Sequence, residues 1–591
     1  MKLQIMEKNK ILKYGIYLVS IVGIITCFAL LFPPVRQSII ERVGQIRHKE
    51  ILSVQEWSNT LLSYALGGIF FILVLNYCFI TVRGREHVLR ITDEIKACWG
   101  EIDRHSFVKP ILLMFGIYLL SILTLIRANF LYLDDITRTI SGYRGWYEWS
   151  RYVSEFFSIF IQGDFHLTDI SPLPQLLAIL FLAIGSVLSV YVLNAGKITI
   201  SGLLASIPLG ISPYMLSCLA FKYDSPHMAL SILASILPFL FLARKKAFVF
   251  VSVISLLIMC MTYQAASGIF LLITLVLGFS DWNKKRKTNR EILLFFGQTV
   301  LSYCMAMVIF KLFLMRPYST YVSNAMLPVP QMFSGMLTNL QTYVNIITDD
   351  YGFIWKALIG IVFCFFIAKS VFTSAQNKVV SFISAIILLS LLFILSYGVY
   401  IVLEHPLFEP RALYGFGVLL AITGIDVVSG FNKAAKIFTL ALSWSFFIFA
   451  FSYGNALADQ LRYANFRITI LLHDLSALYP DKDKVENKIS VQLKNTIGFT
   501  PAVKNIAKHN PVIYKLIPQM MTENNPWFDF YDFEYFNYTP ANSINLEMYK
   551  KTGETYVDFN TLNLPVVVET YYHTIKSDGM RVLVELSEGK Q

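Results

Sequence analysis

The sequence has few charged residues and few cysteines for its length. Of 591 residues, only 15% are charged and seven are cysteines, none of which follows Cys364. Six of the seven cysteines lie in apolar runs, so their spacing fits neither a disulfide framework nor a zinc site. A Walker loop, a dinucleotide fingerprint and a Ser/His/Asp order are also missing. The chain therefore shows no motif for using a soluble nucleotide directly. We expect no metal site and no cofactor, and the use of a divalent cation stays an open alternative.

The residues that are present in excess are apolar. Hydrophobic residues make up 55% of the chain, and its mean hydropathy is +0.56. A soluble protein of this size would be less apolar and would divide into several cores. The net charge of +11 is not a nucleic-acid signal, because the basic residues fall mainly in short loops on one predicted side. The composition predicts an α-helical polytopic membrane protein that contacts lipid and binds no nucleic acid.

About thirteen apolar runs are candidate membrane spans, since a span needs about 20 mostly apolar residues, or fewer where neighbouring helices bury it. The runs lie near residues 14–32, 58–82, 110–127, 174–195, 199–220, 227–243, 247–262, 265–280, 291–314, 353–370, 379–402, 413–430 and 437–454. Lys and Arg are more frequent in one set of alternating loops, which places that set and the N-terminus in the cytoplasm. The first run has no small-residue cleavage site, so we expect it to be retained. An odd number of spans then leaves the C-terminus outside.

Three segments follow from this pattern. Residues 1–109 form a two-span extension with a cytoplasmic loop, and residues 110–454 form the main transmembrane domain. Residues 455–591 are polar and contain no span, so they are expected to form a small extracytoplasmic α/β domain.

Two patterns support that small domain. Residues 461–478 have helical periodicity. Residues 564–572 and 581–586 alternate in strand-like fashion and flank a Ser577-Asp578-Gly579 turn, which predicts a β-hairpin.

An acidic pair, Asp134 and Asp135, follows directly on the third apolar run. A carboxylate at the bilayer centre is costly, so these groups are expected at the membrane surface or in a wet cavity. Arg138 and Arg151 follow among aromatic residues, a pattern that suits a site holding a phosphate and stacking on a sugar ring. The alternatives are a solvated loop whose Asp residues end a helix and an interfacial belt of aromatic and basic residues.

Three further loops on the same predicted side carry polar side chains. Tyr223 and Asp224 lie between two spans, where Asp224 could instead cap the following helix. Gln264 lies in a polar break whose small residues could simply allow close helix packing. Arg411, at the membrane edge, is a candidate phosphate contact or an anchor whose guanidinium reaches the interface. His227 is assigned no chemistry.

Together these motifs resemble the Gtr-type bacterial glucosyltransferases over roughly residues 110–450. The resemblance rests on the segment from Asn129 to Arg138, on Gly145-Trp146 with Arg151, on Tyr223-Asp224-Ser225-Pro226 and on Tyr263-Gln264. It implies a GT-C fold whose acidic pair is catalytic. Two spans precede the acidic loop in addition to the family pattern, and Tyr147-Glu148-Trp149-Ser150 stands before Arg151 where the family often has Gly.

The resemblance also implies a reaction and its partners. A sugar, glucose in this family, would pass from a polyprenyl-phosphate donor to a cell-surface polysaccharide such as O-antigen, on the outer face of the bacterial inner membrane. A donor-synthesising transferase and a flippase would supply the lipid-linked sugar.

Transfer from a lipid phosphate needs a carboxylate that takes the acceptor proton and cations that stabilise the departing phosphate. Asp134 or Asp135 can provide the first, with a slight preference for Asp135, while the other acid orients Arg138 or a bound hydroxyl. The cations would be Arg138, Arg151 or Arg411, and we expect the remaining candidates, Tyr223, Asp224 and Gln264, to bind substrate. Two other classes stay open: a polysaccharide polymerase or ligase, and a lipid-linked sugar flippase or transporter, which should show repeat symmetry and broken helices at the midplane.

Overall fold

The computed structural model of this chain is mostly helical. It describes residues 20, 22–37, 54–315, 325–430, 432–523, 533–544 and 557–588. Within them, seven helices are long and apolar enough to cross a membrane: His105–Ala128, Leu173–Leu193, Gln264–Asn283, Asn289–Leu314, Phe353–Phe372, Lys378–Ser396 and Lys433–Leu478. The number rises to nine if two bent pairs, Ala65–Cys78 with Arg83–Glu101 and Ile200–Ile211 with Pro213–Ala220, each count as one span. The chain thus has the helices of a polytopic membrane protein.

The count of about thirteen spans is not confirmed within the described residues. Gly415–Val428 has 14 residues, which rise about 21 Å and fall short of a hydrocarbon core of about 30 Å. Nearly all its side chains are buried by neighbouring helices. Such a buried helix has the same apolar composition as a span, so the sequence cannot separate the two. The other short apolar helices are Val22–Leu31, Ser225–Phe241 and Lys245–Cys260. Parts of the first predicted span, residues 14–19 and 21, lie outside the described residues, as does Arg316.

The predicted loops contact one another in two groups. At one end of the helices, Arg244 pairs with Glu101 at 2.9 Å and Ser374 donates a hydrogen bond to the Asn283 side chain at 2.7 Å. These residues belong to loops predicted for the cytoplasm. The loops predicted for the outside meet around Asp135, and we call that end the loop face. It comprises residues 129–172, 221–224, 262–264 and 397–414.

Helices and 3-10 turns form or flank the loop face. They are Asp135–Ser141, the 3-10 helix Trp146–Trp149, Tyr152–Gln162, Met332–Asp350 and the 3-10 turns Gly398–Val402 and Pro410–Ala412. Helix Met332–Asp350 was not predicted, because its Thr, Asn and Gln residues interrupt the apolar pattern. The spanning helix before the acidic pair ends where Asn129 adopts a left-handed conformation with φ of 48°. Leu133 is also left-handed, with φ of 50°, a conformation that a leucine rarely adopts and that marks functional sites. These two residues reverse the chain and place Asp134 and Asp135 at the start of a new helix.

One helix joins the membrane part to the C-terminal domain. Lys433–Leu478 has 46 residues and is about 69 Å long, more than twice the hydrocarbon thickness. The predicted boundary at residue 454 falls inside it, and the predicted helix 461–478 is its second half. The first half packs against His105–Ala128 and the second half against the C-terminal domain.

The C-terminal domain contains a five-stranded mixed sheet in the order β2-β1-β5-β4-β3. The strands are β1 (Ser490–Lys494), β2 (Asn542–Ile544), β3 (Val566–Glu569), β4 (His573–Ser577) and β5 (Arg581–Leu586), with helices Lys482–Lys488, Pro501–Ala507 and Ile513–Leu516 and the 3-10 turn Phe559–Thr561. β1 is parallel to β2 and β5, and β4 is antiparallel to β3 and β5. A small C-terminal sheet is therefore present, as predicted.

The predicted hairpin pairing is wrong. The Ser577-Asp578-Gly579 turn joins β4 to β5, and β3 lies on the other side of β4. The run 564–572 does not continue as one strand, because the Thr570 backbone and hydroxyl both pair with the His573 carbonyl and close a tight turn. Two hairpins therefore stand where the alternation suggested one.

Candidate active site

Asp135 is completely buried and links two loops of the loop face. Its Oδ2 accepts hydrogen bonds from the backbone N–H of Tyr132 at 3.0 Å and of Lys222 at 2.9 Å. Its Oδ1 is buried without a hydrogen-bond partner among the described residues. Burial raises the pKa of Asp135 well above its ordinary value, against the two N–H bonds that favour the carboxylate. This side chain therefore holds the acidic loop against the loop that begins at Phe221.

Asp134 faces a different environment. Its side chain is 59% exposed, and its Oδ2 lies 3.7 Å from Nη1 of Arg411. It occupies the N-terminal end of helix Asp135–Ser141 but makes no capping hydrogen bond with its side chain. Of the acidic pair, only Asp134 offers an accessible carboxylate beside a cation.

Asp224 and Arg138 form a buried ion pair. Arg138 Nε lies 3.3 Å from Asp224 Oδ2, and the Trp146 indole N–H donates to Asp224 Oδ1. The Arg138 guanidinium also stacks 4.0 Å from the centre of the Trp146 ring and donates to the Arg144 carbonyl. Burial alone would raise the pKa of Asp224, but Arg138 and the Trp146 N–H outweigh it and lower that pKa below its ordinary value. The helix-capping alternative is wrong, since the Asp224 side chain makes no cap bond.

Arg151 is a cation without a carboxylate partner in the part of the chain that the structure describes. Its guanidinium carbon lies 4.5 Å from the centre of the Tyr263 ring. Its Nε is buried and makes no hydrogen bond to the described residues. Arg411 lies nearby, 5.6 Å from the Phe221 ring centre. Arg138 thus pairs with Asp224 and Arg411 lies beside Asp134. Arg151 forms no ion pair of this kind with a described residue, although its charge also acts on the Asp224 carboxylate.

Tyr223 and Gln264 join loops of the same face. The Tyr223 hydroxyl lies 3.1 Å from that of Thr139, and the Tyr223 side chain belongs to a buried cluster with Trp146 and Leu167. The Gln264 amide donates to the Trp149 carbonyl at 3.4 Å. All eight predicted site residues therefore lie on the loop face, and their contact with a substrate stays a prediction.

Lys222 and Asp169 were not predicted as site residues. Lys222 Nζ is 2.6 Å from both Asp169 Oδ2 and Asn129 Oδ1, and its side chain is only 3% exposed. The available signal was a lysine directly before Tyr223-Asp224, in a loop on the side where lysine is scarce. With the Lys222 N–H on Asp135, this residue fixes the spanning-helix end to two loops. Among the described residues, no three His, Cys, Asp or Glu side chains are grouped so that they could hold a metal ion.

Comparison with known proteins indicates the family of this chain. A Salmonella phage P22 protein described as "Uncharacterized 55.3 kDa protein in gtrB 5'region" is 23% identical over 429 residues, which cover 70% of this chain and 86% of that protein. No solved structure matches the chain. The family described as Glucosyl transferase GtrII matches residues 123–422, half of the chain, and this range contains all eight predicted site residues. The chain thus belongs to the GtrII glucosyl transferase family.

Proposed function

We propose that this protein transfers glucose from a polyprenyl-phosphate donor to a hydroxyl of a cell-surface polysaccharide such as O-antigen, on the outer face of the bacterial inner membrane. The observation that carries the proposal is the exposed Asp134 carboxylate, 3.7 Å from Arg411 and directly beyond the end of a spanning helix. A donor anchored in the membrane can reach that position, and the chain has no nucleotide motif. Family membership supports the sugar and the reaction class.

Asp134 is the general base in this proposal. A base must come within hydrogen-bond reach of the proton that it takes. Asp135 was slightly preferred from the sequence, but its carboxylate is sealed and one oxygen already serves two backbone N–H groups. Asp134 takes the acceptor hydroxyl proton as the acceptor oxygen bonds to the sugar C1, and the C1–O bond to the phosphate breaks.

Arg151 and Arg411 stabilise the polyprenyl phosphate that departs with its extra negative charge. Arg151 suits this role because Asp224 forms its ion pair with Arg138 and none with Arg151, and because the Arg151 guanidinium lies over the Tyr263 ring. Arg138 has a different role, because it pairs with Asp224 and so joins the two loops. A donor-synthesising transferase and a flippase would deliver the lipid-linked sugar to this site.

Reconstituted protein given radiolabelled polyprenyl-phosphate sugars, one at a time and with polysaccharide acceptors, tests the proposal. Label from the glucose donor should enter the polymer, and Asp134→Asn should stop this while the protein still accumulates. Absence of transfer from every polyprenyl-phosphate monosaccharide would refute the proposal. Transfer of whole lipid-linked oligosaccharides would identify a polymerase or ligase instead, and movement of label across the bilayer without a new bond would identify a flippase.

A further inference from the structure

The C-terminal domain contacts the acidic loop directly. Residues 511–517, which we call the docking turn, lie beyond the family-matched range and contain the short helix Ile513–Leu516. The carbonyl of Leu516 accepts hydrogen bonds from two hydroxyls of the helical body, those of Tyr132 at 2.9 Å and Tyr453 at 3.2 Å. All of these groups are buried.

Tyr132 joins this docking turn to the buried acid. Its hydroxyl donates to the Leu516 carbonyl and lies 3.2 Å from Ser217 Oγ, while its backbone N–H donates to Asp135 Oδ2. One residue thus spans from a carbonyl of the C-terminal domain to the carboxylate that fixes the acidic loop. Its ring packs edge-on against Phe221, with centroids 4.8 Å apart, so the position of the ring also depends on the neighbouring loop.

A second contact fixes the docking turn. Lys515 Nζ lies 2.6 Å from Asp350 Oδ1, the Tyr214 hydroxyl donates to Asp350 Oδ2 at 2.8 Å, and the Val512 N–H donates to the Asp350 carbonyl at 3.1 Å. Asp350 is buried at the end of helix Met332–Asp350. Because Asp350 satisfies three donors, the turn is held independently of Tyr132 and can serve as a fixed point for it.

From these contacts we infer that Tyr132 is a positioning residue through which the docking turn sets the placement of the Asp134–Asp135 loop. Where it concerns catalysis, this inference rests on the proposed function. The C-terminal domain then takes part in the geometry of the active site. A displacement of about 1 Å at a reacting group can cost roughly 100-fold in rate, so a modest loosening of this loop is measurable.

Tyr132→Phe tests the inference, with Tyr453→Phe as the matched control. Both variants keep the ring and remove a hydroxyl from the same Leu516 carbonyl and from the contact between the two tyrosines. They differ in that Tyr132 also contacts Ser217 and that only the backbone of Tyr132 holds Asp135. Lys515→Met removes the ion pair with Asp350 and changes no residue of the acidic loop. If Tyr132→Phe does not accumulate, Lys515→Met replaces it, and it should speed exchange at Tyr132 by the same mechanism. Two readouts are compared in full-length protein: hydrogen exchange of the backbone N–H groups of Tyr132 and Lys222, and the kinetics of glucose transfer.

We expect Tyr132→Phe to speed exchange at Tyr132 by at least about threefold, the effect of losing one ordinary hydrogen bond, with no such change in Tyr453→Phe. The kcat of Tyr132→Phe should fall about tenfold while KM for the donor stays within about twofold, because positioning acts on the transition state. Unchanged exchange and kcat in Tyr132→Phe would overturn the inference, as would equal effects of both tyrosine variants. If the wild-type protein transfers no glucose, the proposed function fails, and the exchange measurement still decides whether Tyr132 positions the loop.

Discussion

Arg138 and Asp224 form an ion pair, 3.3 Å from Nε to Oδ2, that joins the acidic loop to the loop before Ser225. Both side chains are largely withdrawn from solvent, with 11% and 5% of their surfaces exposed. Removal of one member of such a pair leaves a buried charge without compensation, which costs more than the pair itself contributes. The pair therefore acts as a joint between loops, and its two members should be studied together.

A double-mutant cycle on this pair should be strongly non-additive. Arg138→Met and Asp224→Asn are each expected to lower the free energy of unfolding by about 3 kcal/mol, since each leaves the partner unpaired. The double variant should lose clearly less than the sum. Thermal unfolding in detergent measures this. If Arg138 only bound the lipid phosphate, Arg138→Met would have normal stability and a raised KM for the donor.

Asp135 should make stability depend on pH in an unusual direction. Burial raises its pKa in the folded protein well above the ordinary 3.8. Between the pKa of the unfolded chain and that of the folded protein, Asp135 keeps its proton only in the folded state. Its contribution to the free energy of unfolding is therefore complete below pH about 4 and is lost as pH rises toward the folded pKa. The unfolding temperature of the wild type should therefore fall relative to that of Asp135→Asn as pH rises. A difference that stays constant between pH about 4 and about 8 would contradict this.

The sequence predicted which loops meet at the site but not how each side chain is used. Carboxylates and arginines are costly in a bilayer, so their positions between apolar runs placed them on one face, and the structure brings all eight candidates there. The different roles of Asp134, which is exposed, and Asp135, which is buried, could not be predicted from the sequence. It depends on the left-handed turn at Leu133 and on a backbone N–H of Lys222, which is distant in sequence.

The count of about thirteen spans is not confirmed for a related reason. Helices such as Gly415–Val428 are apolar because neighbouring helices bury them, and hydropathy does not distinguish burial in protein from burial in lipid. The helix Met332–Asp350 was missed although it carries Asp350, because its pattern is only partly apolar. In both cases the open question is whether protein or lipid covers a side chain, and only the assembled fold decides this.

The orientation of the chain in the membrane is a separate prediction. The Lys and Arg bias places the N-terminus in the cytoplasm, and the proposed function places the loop face and the C-terminal domain outside. Alkaline phosphatase fused after Gln591 should be active, since it needs an oxidising compartment to form its disulfides. A reporter that works only in the cytoplasm, fused at the same residue, provides the control. Activity of that second reporter would place the loop face in the cytoplasm and would contradict a reaction on the outer face.

Arg151 should act mainly on the donor. Its guanidinium lies on Tyr263 with no carboxylate partner among the described residues. Arg151→Gln is expected to reduce kcat/KM for the polyprenyl-phosphate sugar by roughly 100-fold, the loss typical of a preorganised donor to developing charge. Arg151→Lys should restore only part of this, because an ammonium group lacks the planar fork. Thermal stability near that of the wild type is the control. If Arg151→Gln transferred glucose at the wild-type rate, residues other than Arg151 would stabilise the donor phosphate.

The acidic pair provides the sharpest test, because its members are adjacent and yet differ in exposure. Asp134→Asn removes the accessible base and should lower kcat by roughly 10²–10⁴-fold, with normal accumulation and unfolding temperature. Asp135→Asn keeps one oxygen that can accept the Tyr132 and Lys222 N–H bonds. It should therefore retain much of the activity.

Asp135→Ala separates anchoring from chemistry. It removes the acceptor of two buried N–H groups, each of which costs about 1–3 kcal/mol when left unpaired. This variant should lose stability and activity together, whereas Asp134→Ala should lose activity alone. Glucose transfer and thermal unfolding, measured on the same preparations of all four variants, decide between these roles. If Asp135→Asn abolished transfer at unchanged stability while Asp134→Asn remained active, the buried acid would be the base and the exposed one would be dispensable.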